Sequence, residues 1–362
     1  MLATELTRLT GVRHPVVQTG MGWVAGPRLV SATANAGGLG IIASATMTLA
    51  ELEAAILETK RRTDKPFGVN LRSDASDAID RVELLIRHGV RVASFALAPK
   101  RDLIARLKDH GIVVMPSIGA VRHAEKVAAW GVDAVVVQGG EGGGHTGSVA
   151  TTLLLPSVID AVDIPVVAAG GFYDGRGLAA ALAYGAAGIA MGTRFLLTSD
   201  SSVPDEVKRL YLERGLDGTV VTTKVDGMPH RVLRTELVDR LERTGRARAL
   251  LGALANARKF RRLTGLSWRA MIGDGLRLKH GRELSWSQVV MAANTPMLLR
   301  SGLVQGRTDA GVLAAGQVVG VLRDLPSCEE LITGIVAQAT EVIDGLAGGK
   351  RWQNSDVADA SP

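Results

Sequence analysis

Cysteine is almost missing from this chain: among 362 residues there is one, Cys328. No internal disulfide can form, which excludes a disulfide-stapled scaffold. Cys328 sits in "LPSCEEL", beside two glutamates and no basic neighbour, so it reads as a helix-start cysteine rather than a reactive thiol. Long apolar runs are missing too. "AVVV" and "IPVVAA" are strand-sized, far short of the ~18 apolar residues that a membrane span needs. The opening "MLATELTRLTGVRHP" lacks the basic-then-apolar plan of a secretory signal. The expectation is a soluble, cytoplasmic protein with no membrane partner. Aromatics make up only 4% and prolines number 12, against 43 glycines. Those glycines follow no period, which excludes a collagen-like or linker chain. They fall at the ends of short apolar runs, where turns and close backbone approaches are needed.

One plan recurs along the first half. "NAGGLGIIAS" (35–44), "RHGVRVASFAL" (87–97), "KDHGIVVMPS" (108–117), "AAWGVDAVVVQ" (128–138) and "AYGAAGIAMG" (183–192) each end a helical pattern in glycine and continue as an apolar, β-branched run. Glycine there is a left-handed helix C-cap. The runs are apolar at successive positions, so both faces of each strand are buried, as in a parallel sheet covered by helices. "HPVVQTG" (14–20), "FGVNLR" (67–72) and "IPVVAAGG" (164–171) bring the strands to eight. Helical patterns at 27–37, 48–62, 75–88, 100–109, 121–130, 150–161 and 175–184 separate them. This predicts an α/β fold, a (β/α)8 TIM barrel. A doubly wound open sheet is the runner-up.

After "GTRFLLT" (192–198) the pattern changes. Residues 201–290 hold 18 basic and 10 acidic residues, net +8, in a chain whose total is +6. They read as charged and helical. Glycine-rich apolar sequence returns at "AAGQVVGVL" (314–322), followed by a closing helix at 328–346. The expected organisation is a barrel from 1–199 and 296–348, an inserted basic helical subdomain at 200–295 after strand eight, and a frayed tail at 349–362.

Barrels carry their chemistry where strands end. Glycine turns follow strands seven and eight, at "AAGG" (168–171) and "MGT" (191–193). A single such turn is merely tight. Two on neighbouring strands, followed by Thr193, point to a phosphate held by the N–H groups of Gly170, Gly171, Gly192 and Thr193. "QTGMGWVAG" brings Gly20, Met21 and Gly22 to the end of strand one, where glycine lets a flat ligand approach the backbone. Asn70 ends strand three and Gln138 ends strand six. Either amide alone reads as a satisfied loop group; together they can read a ring edge as donor and acceptor. A planar heteroaromatic with a phosphate tail fits, and flavin mononucleotide (FMN) is the obvious candidate. No dinucleotide fingerprint follows a strand, which speaks against FAD.

"PVVQTGMGWVAGPRLVSATANAGGLGIIAS", "FGVN", "QGGEGGGHTG", "VVAAGGFYDGRGLAAALAYGAAGIAMGTRF" and "AAGQVVGVL" together resemble the nitronate monooxygenase (2-nitropropane dioxygenase) family, over roughly 12–198 and 290–346. That family also contains FMN-dependent enoyl-thioester reductases. The resemblance implies a TIM barrel with an inserted helical domain. It implies FMN contacts from Gly20, Met21, Gly22, Asn70, Gln138, Gly143, Gly144, Ala169, Gly170, Gly171, Gly192 and Thr193. His145 matches the family's histidine beside the flavin, a catalytic base. Two departures stand out. Where the family usually has alanine in "EAGGH", this chain has Gly142, which is expected to loosen the substrate side slightly. The basic stretches "VTTKVDGMPHRVLRTEL" and "NARKFRRLTGLSWRAM" resemble one subgroup, the acyl-CoA dehydrogenases of steroid (cholesterol) ring breakdown.

His145 is the one titratable side chain in its glycine run besides Glu141, and an imidazole can take or give a proton near neutral pH. Glu141 reads as a second acid or as a group bound to backbone amides. The other histidines, including His230, sit singly, and no spacing suggests a metal site. Two enzyme classes fit. In one, the flavin exchanges hydride with the β-carbon of an acyl thioester while His145 handles the α-proton. In the other, a nitronate is oxidised with oxygen. The insert favours the first, because Arg258, Lys259, Arg261 and Arg262 suit the phosphates of coenzyme A. NAD is the candidate electron partner. A nucleic-acid-binding reading would use the same charge, but the basic residues lack interleaved aromatics and any known module. Self-association stays open.

Overall fold

The protein is described by a computed structural model that covers residues 2–243 and 286–349. All eight expected strands are present: β1 (Val16–Gln18), β2 (Leu39–Ala43), β3 (Phe67–Leu71), β4 (Val92–Phe95), β5 (Val113–Ile118), β6 (Val135–Gln138), β8 (Val166–Ala169) and β9 (Gly188–Met191). They close into a parallel barrel in chain order, with β9 returning to β1 through Val17–Ala190 and Gln18–Met191. One short strand, β7 (Gly144–His145), lies outside the barrel, so strands seven and eight of the barrel are β8 and β9.

Helices α2 (Pro27–Asn35), α3 (Leu49–Arg62), α4 (Ala78–Arg87), α5 (Arg101–Asp109), α6 (Val121–Ala128), α7 (Thr151–Ile159) and α8 (Gly175–Ala183) separate the strands where the sequence placed them. The glycines that stop five of these helices, Gly37, Gly89, Gly111, Gly131 and Gly185, all take positive φ, between 57° and 94°. A Cβ would be strained at each. The unbroken apolar runs are explained by two cores. Val17, Ile41, Val92, Met115, Val136 and Val167 fill the barrel interior. Their chain neighbours Val16, Ile42, Val114, Val137 and Ala168 face the helical layer. Helix α1 (Glu5–Thr10) seals the amino-terminal end: Leu6 joins the inner cluster and the Thr4 hydroxyl donates to the Ala187 carbonyl at 2.6 Å.

Short α9 (Thr193–Leu196) and α10 (Asp205–Leu212) follow β9. The next stretch corrects the expectation of a wholly helical insert. Strands β10 (Thr219–Thr222) and β11 (His230–Leu233) pair antiparallel, and β11 continues onto β7. The run "TVVTT" is β-branched and bounded by Gly218 and by Gly227 with Pro229, a strand signature submerged in charged sequence. Helix α11 (Glu236–Arg243) follows, and α12 (Trp286–Leu303) runs through the boundary expected at 295–296. Helix α13 (Cys328–Ala347) opens with a Ser327–Glu330 capping box and packs against α8 and α2, closing the layer. Arg258, Lys259, Arg261 and Arg262 lie outside the described residues. Among the described residues no helix is long and apolar enough to cross a membrane.

Candidate active site at the carboxyl end of the barrel

The loops that leave the strands touch one another in a ring. After β1, the Met21 carbonyl accepts from Val24 and Ala25 N–H, making a tight turn. Gly20 packs against β3: a Cβ there would lie 2.6 Å from that of Asn70. Met21 Sδ lies 3.5 Å from where a Gly192 Cβ would be, which joins β1 to β9. The Asn70 amide donates to Ser94 Oγ at 3.2 Å, so its orientation is fixed from β4. Gly22 lies farther out, against Thr46. Ala169, the last residue of β8, is buried within the inner core cluster.

At β8 and β9 the turns are open to a ligand. Gly170 and Gly171 have φ of 98° and 85°. The N–H groups of Gly170, Gly171 and Gly192 have no hydrogen-bond partner among the described residues. Unpaired backbone donors at a glycine turn beside a helix start make an anion cradle, so the chain fits a phosphate here. Thr193 Oγ1 accepts from Gly316 N–H at 2.9 Å, which leaves its own hydrogen to donate. Gly143 presses on the same segment: its Cβ would lie 2.6 Å from Ala315 C and Gly316 N. Gln317 N–H donates to the Glu141 carbonyl at 3.0 Å. The late "AAGQ" stretch is thus the brace between the glycine loop and Thr193.

The glycine loop settles one open reading, with Glu141 bound to a backbone amide, and departs from one expectation, at Gly142. Glu141 is no free acid: its carboxylate accepts from Thr151 N–H at 3.0 and 3.1 Å and from the Thr151 hydroxyl at 2.7 Å, at the first residue of α7. Gly142 does not leave a looser site. A Cβ there would lie 2.5 Å from Gln138 Nε2, so the Gln138 side chain already occupies the space. From that position Gln138 donates to the His145 carbonyl at 2.7 Å.

His145 sits on β7, opposite His230 of β11. Its side chain is 53% exposed, whereas those of Asp226 and His230 are each 4% exposed. Nε2 of His145 hydrogen-bonds the Asp226 carboxylate. His230 Nδ1 lies 3.5 Å from the same oxygen, and the two imidazole centroids are 4.7 Å apart, tilted by 54°. Met228 N–H donates to the other Asp226 oxygen at 3.0 Å. Burial pushes the Asp226 carboxyl up, but the hydrogen bond from His145 and the close His230 imidazole prevail and hold it well below the usual carboxylate range. His230 therefore does not sit singly. The sequence reading missed Asp226 and set His230 aside; the signal available was an aspartate in a D-G turn four residues before a histidine.

The three donor sets lie within 4.8 Å of one another, a spacing compatible with a metal that the sequence pattern did not suggest. The direct contact of His145 with the carboxylate is that of an acid–base pair. Cys328 is fully buried and burial pushes its thiol up to about 12, which makes it an inert core residue.

The nitronate monooxygenase family model matches residues 3–338. A Mycobacterium tuberculosis protein named (3aS,4S,5R,7aS)-5-hydroxy-7a-methyl-1-oxo-octahydro-1H-indene-4-carboxyl-CoA dehydrogenase is 74% identical over 341 residues, 93% of this chain and 96% of that protein. The Rhodococcus jostii protein of the same name is 70% identical, over 95% of this chain and 98% of its own. Among solved structures, FabK from Thermotoga maritima superposes with a TM-score of 0.79 at 33% identity, covering 96% of this chain and 100% of that one.

Proposed function

The chain belongs to the nitronate monooxygenase family, and from that premise we propose that it is an FMN-dependent dehydrogenase of a bulky, fused-ring acyl-CoA. Its class, a flavin-dependent oxidoreductase, follows from the family and from the relatives. One observation carries the substrate: the two relatives named for an indene-carboxyl-CoA match 93% and 95% of this chain, so most of the basic segment 200–295 falls within the similarity. That substrate belongs to steroid ring breakdown, the subgroup whose sequences this one resembles.

Gly170, Gly171, Gly192 and Thr193 would hold the FMN phosphate through main-chain donors. Asn70 and Gln138 would address the ring edge, and Gly20, Met21, Gly22, Gly143 and Gly144 would let the backbone approach the ring. When bound, FMN supplies the two-electron acceptor for a hydride from the thioester β-carbon. His145 takes the α-proton. Two C–H bonds break and one Cα=Cβ bond forms; the proton ends on the imidazole and the electron pair leaves with the hydride. NAD, with oxygen as the alternative, is the candidate that would take up this electron pair. Arg258, Lys259, Arg261 and Arg262, outside the described residues, are our candidates for the CoA phosphates. The same groups in reverse would reduce an enoyl thioester, as the reductases within the family do.

His145→Ala tests the acid–base role. It should lower kcat by about 10²–10⁴-fold with FMN still bound. Dehydrogenation of the acyl-CoA at the wild-type rate by this variant would remove His145 from the chemistry.

A further inference from the structure

We infer that Asp226 is the positioning residue of His145: from a turn 81 residues away it holds Nε2 of the ring, turns the Nδ1 edge to the substrate, and shares its carboxylate with the buried His230. This inference rests on the reading of His145 as the proton carrier.

Three observations bear on it. The first is topological. Strand β7 is two residues long and among the described residues its only partner strand is β11, whose register sets His145 opposite His230 and Gly144 opposite Arg231. A carboxylate four residues before His230 then reaches both rings from one turn. Thr146 N–H donating to the Pro229 carbonyl at 3.2 Å ties the far side of the loop to the same turn.

The second is burial. Asp226 is almost wholly enclosed while His145 is half exposed. A buried carboxylate without partners is strongly disfavoured, so the rings and the Met228 N–H are what keep it there. The favourable exchange runs in both directions: what stabilises the carboxylate also anchors the imidazole that it binds. Because the carboxyl is held well below its usual range, it stays charged at neutral pH. A fixed negative charge at Nε2 favours the imidazolium that forms when the ring takes a proton, and it leaves Nδ1 as the nitrogen that meets the substrate. Among the described residues, His145 Nδ1 has no hydrogen-bond partner.

The third is the neighbourhood. The other charged groups on the packed elements are committed elsewhere or lie apart. Arg231 donates to the Gly140 carbonyl at 2.9 Å and to Thr219 Oγ1 at 3.0 Å. Glu141 is bound to Thr151. Lys224 lies in the turn that carries Asp226. His230 has no hydrogen bond at either ring nitrogen within normal limits, so it contributes to the carboxylate at 3.5 Å and to the ring packing.

The test uses the flavin-loaded enzyme with Asp226→Asn and Asp226→Glu, alone and combined with His145→Ala. Asp226→Asn keeps shape and removes charge. It should retain FMN, lower kcat about 10²-fold with little change in KM, and move the low-pH limb of the kcat profile acidward by about one pH unit or more. Nitrogen-15 spectra of the imidazoles, which read the ring without turnover, should show the His145 midpoint moving the same way. Asp226→Glu should restore the limb in part. In the His145→Ala background, Asp226→Asn should cost nothing further. An Asp226→Asn enzyme that loses activity with its pH limb and imidazole midpoint unmoved would overturn the inference, since that is mere structural support. So would a wild-type profile, provided that His145→Ala is inactive. A fully active His145→Ala would instead overturn the proton-carrier reading itself.

Discussion

Gly142 shows how one missing methyl group shapes the site. Its Cβ position is taken by Gln138, whose amide in turn holds the His145 carbonyl. Gly142→Ala should therefore push Gln138 off that carbonyl and release the strand that presents His145. The lost hydrogen bond is worth about 1 kcal/mol, readable as a lower unfolding midpoint together with a reduced kcat. Unchanged values for both would mean that Gln138 has another rotamer equally good for the loop. At this scale the sequence was legible only in part. His145 stands out because glycine strips its surroundings. Asp226 does not, because its meaning depends on a partner 81 residues away and a two-residue strand that has no sequence signal of its own. Glu141 was ambiguous for a similar reason: its partner, Thr151, is ten residues on, at the start of the next helix.

Among the elements, the barrel strands and their helices were the most legible. Each strand is a local run, and five of the helices between them end in a glycine whose positive φ only that residue takes readily. The β10–β11 hairpin was not legible, since its apolar content is modest and it pairs with a loop rather than a neighbour in sequence. The turn after β8 makes the most exposed claim about an element. With φ of 85° and an unpaired N–H, Gly171 suits an anion; Gly171→Asp brings a carboxylate against it, near Glu141. That variant should fold but lose FMN. Gly171→Ala, strained without being charged, should keep much of it. Purified Gly171→Asp protein that is still yellow, with wild-type flavin content, would put the phosphate elsewhere.

For the whole molecule, two designs meet at one rim. A barrel with glycine turns supplies a cradle for a flat, phosphate-bearing cofactor, and the segment inserted after β9 returns across the mouth to supply Asp226 and His230. The barrel could be read from periodicity, and the charge of the insert from composition, but their junction is a tertiary event. On the proposed function, this junction serves the oxidation of an acyl-CoA. That role is tested most directly by mixing the purified, flavin-loaded protein with a fused-ring acyl-CoA without oxygen and following the visible flavin band. Rapid bleaching by the acyl-CoA is expected, slowed in His145→Ala, with a two-electron stoichiometry and an unsaturated thioester as product. Bleaching by alkyl nitronates alone, with no response to any acyl-CoA, would contradict that role.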